Sequence, residues 1–170
     1  MGSWTALGRG LALGAGSIGM AAGFHAFMRW RCKRAMLAQL HAHRSIRKFT
    51  QQPVALELLR QLLDTAMRSS TNGNMQTYSA VISRDPETLR ELALIHDNRG
   101  IAEAAAVVTF CADWSRMARW VSLRGGDTGA YDNFKAFLTA ALDCMVLAQS
   151  FVLAAEVTGL GCCFLGSTIF

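Results

Sequence analysis

Phe134 to Val157 reads FKAFLTAALDCMVLAQSFVLAAEV, and this stretch decides the fold. It has no glycine or proline, carries few charges and is apolar almost all the way round. That pattern predicts one long helix buried on most faces. Such a helix forms the centre of a large domain or half of a dimer core. Gly159-Leu-Gly161 ends it, because glycine tolerates the left-handed backbone of a helix terminus.

Working outward, Cys162 to Leu165 predicts a short apolar strand, followed by a turn at Gly166-Ser167. Trp114 to Leu123 predicts a helix and Gly125 to Gly129 a loop. Ala104 to Cys111 is a near-continuous apolar run with the character of a buried strand, and Asn98 to Gly100 is a turn. Asp85-Pro86-Glu87 opens a helix, with a capping carboxylate, proline at the first position and an acid in the first turn. Tyr78 to Ser83 predicts a strand. Leu56, Leu59, Leu62, Leu63 and Ala66 recur at helical spacing and predict a helix from Ala55 to Met67. Ser69-Ser-Thr-Asn-Gly-Asn74 is a polar loop of turn-forming residues, and Arg34 to His41 predicts a short lead-in helix. The class is α+β. A strand and turn at the end of the sequence leave the sheet short of members, which predicts that more chain is needed to complete the fold.

Composition narrows the function. In 170 residues, 52% are hydrophobic and only two are proline, which suits a packed domain rather than a disordered chain. The formal net charge of +5 is unevenly spread. Eight cations precede the first acid, Glu57, whereas from Met36 onward twelve basic residues face twelve acidic ones. The domain itself is therefore neutral, which argues against a nucleic-acid partner. The five cysteines form no C-x-x-C pair and have no zinc-like spacing. Reduced thiols inside a cell are the simplest reading. His41 and His43 lack further ligands nearby, so no metal site is expected.

Residues 1–35 form an apolar and basic leader to a domain over 36–170. Leu11 to Met28 is uncharged for 18 residues. Trp4 and Trp30 flank it, and Arg29, Arg31, Lys33 and Arg34 follow. This order fits a membrane segment with a basic cytoplasmic flank. It also fits a targeting peptide, or a non-native or inert extension, with translation beginning at Met36. Gly14-Ala-Gly16-Ser-Ile-Gly19 spells G-x-G-x-x-G, but it lacks a preceding strand and the acid expected about 20 residues later. Small residues in an apolar helix explain it better.

Five motifs in order resemble the nitroreductase family: His43-Arg-Ser-Ile-Arg-Lys-Phe49, Ser69 to Ser79, Val108-Thr-Phe-Cys-Ala-Asp113, Tyr131 to Gln149, and Ala154 to Gly161 with Phe164-Leu-Gly-Ser167. The resemblance covers Met36 to Phe170. It implies a three-layer α+β fold, with a mostly antiparallel central sheet flanked by helices and incomplete at its C-terminal end. It also implies a homodimer through the 134–157 helix with FMN at the interface. The implied chemistry is ping-pong: NAD(P)H reduces FMN, and reduced FMN passes electrons to a nitroaromatic, quinone or free flavin.

By the same resemblance, His43, Arg44 and Ser45 match contacts to the FMN phosphate and ribityl chain. Arg47 matches the basic residue near the pyrimidine edge, where a cation stabilises charge on the reduced ring. Ser70, Thr71 and Asn72 offer hydroxyls and amides to the ring edge. Gln76 faces either the flavin or the interior. Asn98 lies near the family's amide contact, with Arg99 as the competing assignment. Gly166 and Ser167 place backbone N–H groups near N5. No catalytic side chain is expected, since the cofactor carries the hard chemistry. Without the family, these would be surface charges and ordinary loops. A second function remains open: a truncated, non-catalytic remnant that dimerises poorly and binds little flavin.

Overall fold

A computed structural model describes residues 26–50, 52–129 and 132–166. Most of the Leu11–Met28 run, the Gly14–Gly19 motif, Tyr131 and Ser167 lie outside them. The chain divides into two compact units, Met1–His43 and Arg44–Phe170.

In the first unit, residues 26–42 are helical (α1). The helix is longer than the Arg34–His41 segment expected. No glycine or proline interrupts the chain between Gly23 and Pro53, and Ala, Met, Leu, Arg and Lys all favour helix.

The second unit contains α2 (Leu56–Ala66), β1 (Tyr78–Ser83), α3 (Pro86–Ile95), α4 (Gly100–Glu103), β2 (Val107–Ala112), α5 (Ser115–Leu123) and α6 (Phe134–Val157). Among the described residues the sheet has two strands. β1 pairs antiparallel with β2, in a register running from Tyr78 opposite Ala112 to Ser83 opposite Val107. α6 packs against both α2 and the sheet.

Four expectations are corrected. The strand predicted over Ala104–Cys111 begins three residues later, because Ala104 ends α4 with an extended backbone. It is half-buried rather than buried along its length. The turn at Asn98–Gly100 leads directly into α4: the Asn98 side-chain carbonyl accepts the Gly100 N–H at 3.0 Å. Cys162–Leu165 forms no strand. Its backbone tie is the Ile46 N–H donated to the Cys162 carbonyl, 2.8 Å, which is a contact and not a ladder.

α6 has two apolar stripes. One holds Ala136, Ala140, Cys144, Leu147, Ala148, Phe151, Val152 and Ala155, all buried. Its alanines allow close approach, while Leu147 and Phe151 meet Leu59, Leu62 and Ala66 of α2 and Tyr78 of β1 in the core. Phe151 meets Phe110 of β2 edge-on, with ring centroids 5.5 Å apart. The other stripe holds Phe134, Phe137, Leu138, Leu142, Met145 and Val146, all exposed, Phe134 to 75%. The helix is long and apolar enough to cross a membrane. Its buried stripe, and the bonds that Asp143 accepts from the loop before β1, mark it instead as a core helix.

Leu147 is 1% exposed at the centre of this cluster. Leu147→Ala is expected to cost about 2–5 kcal/mol through lost burial and an unfilled cavity, read as a lower urea midpoint.

Candidate functional site

Two segments carry most of the candidate residues in the second unit, with Asn98 and Gly166 outside them. The first is the irregular stretch 44–47, in which Arg44, Ser45 and Arg47 are exposed and Ile46 is half-buried. Ile46 anchors it. Besides its hydrogen bond to Cys162, its side chain covers Gly161 so closely that a Cβ there would lie 2.9 Å from Ile46 Cβ. Gly161 therefore permits the approach. The backbone carbonyl of Arg47 lies beside Gly100, 3.6 Å from where a Cβ would stand. The structure thus brings Arg47 next to the Asn98–Gly100 turn and Ile46 next to the chain leading to Gly166. Asn98 spends its side-chain carbonyl on Gly100. His43 belongs to the first unit, and Ser167 falls outside the described residues.

The second segment is the loop 69–77. Ser70 and Asn72 are exposed, and Thr71 and Gln76 are half-buried. Residues Asn72–Asn74 make one 3₁₀ turn. Gly73, Asn74 and Gln76 all take left-handed backbone, with φ of 57°, 55° and 51°. Glycine adopts this freely, whereas a side chain there costs roughly 1–2 kcal/mol. Such a backbone persists only where its surroundings hold it.

α6 holds it from below. Asp143 is 4% exposed. One of its carboxylate oxygens accepts the Asn72 N–H at 3.0 Å. The other accepts the Thr77 N–H at 3.3 Å and the Thr77 hydroxyl at 2.8 Å. Two turns further on, the Ser150 hydroxyl is hydrogen-bonded to that of Ser69, 2.6 Å apart. The start of α5 holds the loop from its side, since the Arg116 guanidinium donates to the Gln76 carbonyl. Asp113 fixes Arg116 in turn: it accepts from the Ser79 hydroxyl, from the Ser115 hydroxyl at 2.7 Å and from the Arg116 N–H at 3.2 Å. The Ser79 hydroxyl bond is the first cause that holds the Asp113 carboxyl below the usual range, followed by that of Ser115. The roles of Asp143 and of the Asp113–Arg116 pair escaped the sequence reading. A lone carboxylate in the middle of an apolar helix was the available signal.

A family model described as "Nitroreductase family" matches residues 40–170. An FMN reductase (NADPH) of Bacillus subtilis is 34% identical over 126 residues, 73% of this chain and 51% of that protein. An NADPH-flavin oxidoreductase of Vibrio harveyi is 36% identical over 126 residues, 74% of this chain and 50% of that protein. A solved structure of a B. subtilis nitroreductase superimposes with a TM-score of 0.74 at 31% identity, covering 78% of this chain and 54% of that one. The chain spans about half the length of the curated relatives it matches.

Asp143→Ala leaves the Asn72 and Thr77 N–H groups and the buried Thr77 hydroxyl without their acceptor. An expected cost of about 3 kcal/mol follows from the loss of bonds to a charged group, with faster amide exchange at Asn72 and Thr77. Asp113 supplies a pH test. Its folded pKa is lowered, so its contribution to stability is whole above the unfolded carboxylate value of about 3.9. That contribution is lost as pH falls through the lower folded value. Ser79→Ala removes the main cause, and the acid unfolding midpoint, followed by circular dichroism, is expected to move to higher pH.

Proposed function

The chain belongs to the nitroreductase family, and on that premise we propose that it is an FMN-dependent oxidoreductase using NAD(P)H. Its acceptors are nitroaromatics, quinones or free flavin. The observation that carries this reading is the Ile46 N–H bond to the Cys162 carbonyl. It lays the cationic segment alongside the chain that leads to Gly166.

The residues present suit FMN. A phosphate needs cations and hydroxyls, and Arg44, Ser45 and Arg47 stand exposed within one four-residue segment. A flat ring edge needs amides and hydroxyls on a fixed backbone. The 70–76 loop offers Ser70, Thr71, Asn72 and Gln76 on a backbone clamped by Asp143 and Arg116. When bound, FMN would take a hydride from NAD(P)H and hand the electrons to the acceptor in a second half-reaction. In this reading Arg44 and Ser45 hold the phosphate and ribityl chain, and Arg47 supplies positive charge at the ring. Asn98, Gly166 and Ser167 complete the ring contacts. No side chain is required to act as a general base.

The exposed α6 stripe supports a homodimer. Six large apolar side chains on one helix face make a contiguous patch of the kind that marks an interaction surface. A second copy of the same helix would cover it by an isologous contact. We place the domain on the cytoplasmic side, residues 1–35 being its leader and 36–170 the flavin domain.

A purified chain is expected to be yellow and to bleach on addition of NADPH, as read in the visible spectrum. Arg47→Ala is expected to weaken FMN binding about tenfold or more, the worth of one charge-assisted hydrogen bond. A colourless protein that takes up no added FMN overturns the proposal and favours a non-catalytic remnant.

A further inference from the structure

Among the described residues, three that are not glycine take left-handed backbone: Asn74, Gln76 and Asp97. Two of them lie in the loop 69–77, and Asp97 adjoins Asn98. Asparagine and aspartate tolerate this conformation because their short side chains bond locally. Glutamine has no such advantage, and glycine would adopt the φ of 51° at position 76 freely. Backbone of this kind gathers where a ligand is gripped. What glutamine brings to this position, and glycine does not, is a side-chain amide.

Gln76 is tied on both sides. Its N–H donates to the Thr71 hydroxyl at 3.4 Å. Its carbonyl accepts from the Arg116 guanidinium and from the Tyr78 N–H, the latter at 2.8 Å. The next amide, the Thr77 N–H, donates to Asp143. The Gln76–Thr77 peptide is trans, so its C=O and N–H point in opposite directions. It therefore lies between a guanidinium on its oxygen side and a carboxylate on its nitrogen side. Turning it over would set the carbonyl toward Asp143 and the N–H toward Arg116, two repulsive contacts in place of two attractive ones. Asp143 belongs to the buried framework. Arg116 does not: it is exposed, on a helix with no buried residue. Asp113 nevertheless accepts its N–H and steadies the turn that carries it.

We propose that Arg116 is a positioning residue for flavin binding: it holds the Gln76–Thr77 peptide so that the Gln76 side-chain amide meets the ring edge of FMN. The inference rests on the flavin reading above and deepens it, by giving a role to a residue of α5, a helix that carries none of the candidate cofactor contacts. The amide both donates and accepts, and the edge of the flavin ring alternates carbonyl oxygens with ring nitrogens. Left-handed backbone at position 76 fixes where the side chain departs from the loop. The tie to Arg116 is what keeps that departure point in place from the solvent side.

The full chain is titrated with FMN, binding is read from quenching of the flavin fluorescence, and the urea midpoint is measured on the same preparations. Arg116→Ala is expected to weaken FMN binding about tenfold, the worth of one charge-assisted hydrogen bond. Its urea midpoint should change little, because the side chain is exposed. Gln76→Gly relieves the backbone and should stay near the parent's midpoint, while binding FMN about tenfold more weakly. At saturating FMN both variants should shift the visible band of the bound flavin in the same sense, since both lose the same contact. Arg119→Ala removes an exposed cation one turn along α5 and should bind FMN as the parent does, which separates the tie from the charge. The proposal is overturned if Arg116→Ala or Gln76→Gly binds FMN as tightly as the parent, or leaves the band where it was. It is equally overturned if Arg119→Ala weakens binding as much as Arg116→Ala. A parent chain that takes up no FMN overturns the reductase reading itself, and this inference with it.

Discussion

A single buried carboxylate organises the second unit. Asp143 sits in the middle of an apolar helix, where a charge without partners would cost several kcal/mol. It is tolerated because the loop before β1 delivers two N–H groups and one hydroxyl to it. The dependence runs both ways. Asn72 and Thr77 need an acceptor once they are turned inward, and Asp143 needs donors. Thr77 is 1% exposed and is the pivot. Its N–H and hydroxyl meet Asp143, while its carbonyl accepts the Asp113 N–H at 2.9 Å. One residue therefore joins α6, the loop and the start of the β1–β2 pairing.

The packing around this point follows from small residues. Alanines along the buried stripe of α6 bring its backbone close to α2 and the sheet, and Leu147 and Phe151 fill the space between. Close approach is what places Asp143 within reach of the loop. The Asp113–Arg116 pair then secures the loop's far end from outside the core. Polar groups at this junction are matched with one notable exception: the Tyr78 hydroxyl is buried with no hydrogen-bond partner among the described residues. Burial is the first cause that pushes its pKa up.

Local chemistry made most of the elements legible. The Asp85-Pro86-Glu87 start of α3 was readable because a cap acts within one turn: Asp85 accepts the Thr88 N–H at 2.9 Å, as its position implies. α6 was readable because a long apolar run without glycine or proline has few alternatives. Cys162–Leu165 was not, because an apolar run shows what a segment avoids and not which strand it pairs with. The start of β2 was misplaced for a similar reason: Ala104 to Ala106 are as apolar as a strand, yet the α4 turn claims the first of them. At the candidate site, residue types were legible and partners were not. Asn98 reads as an amide available to a ligand until Gly100 is seen to occupy its carbonyl. Asp143 reads as an oddity until Asn72 and Thr77, more than sixty residues earlier, are folded against it. Long-range pairs of this kind leave no periodic trace.

The left-handed run at Gly73, Asn74 and Gln76 has a bearing on recognition. Its shape is enforced by α6 and Arg116, both parts of the protein's own framework, so the loop needs no guest to give it form. Were a molecule to dock on it, the loop's hydrogen bonds to Asp143 and Arg116 would already hold its backbone, and less of the contact energy would be consumed in ordering the receptor. Selectivity at a surface held in this way would come from fit, since each change of loop shape would first have to break a bond to the framework.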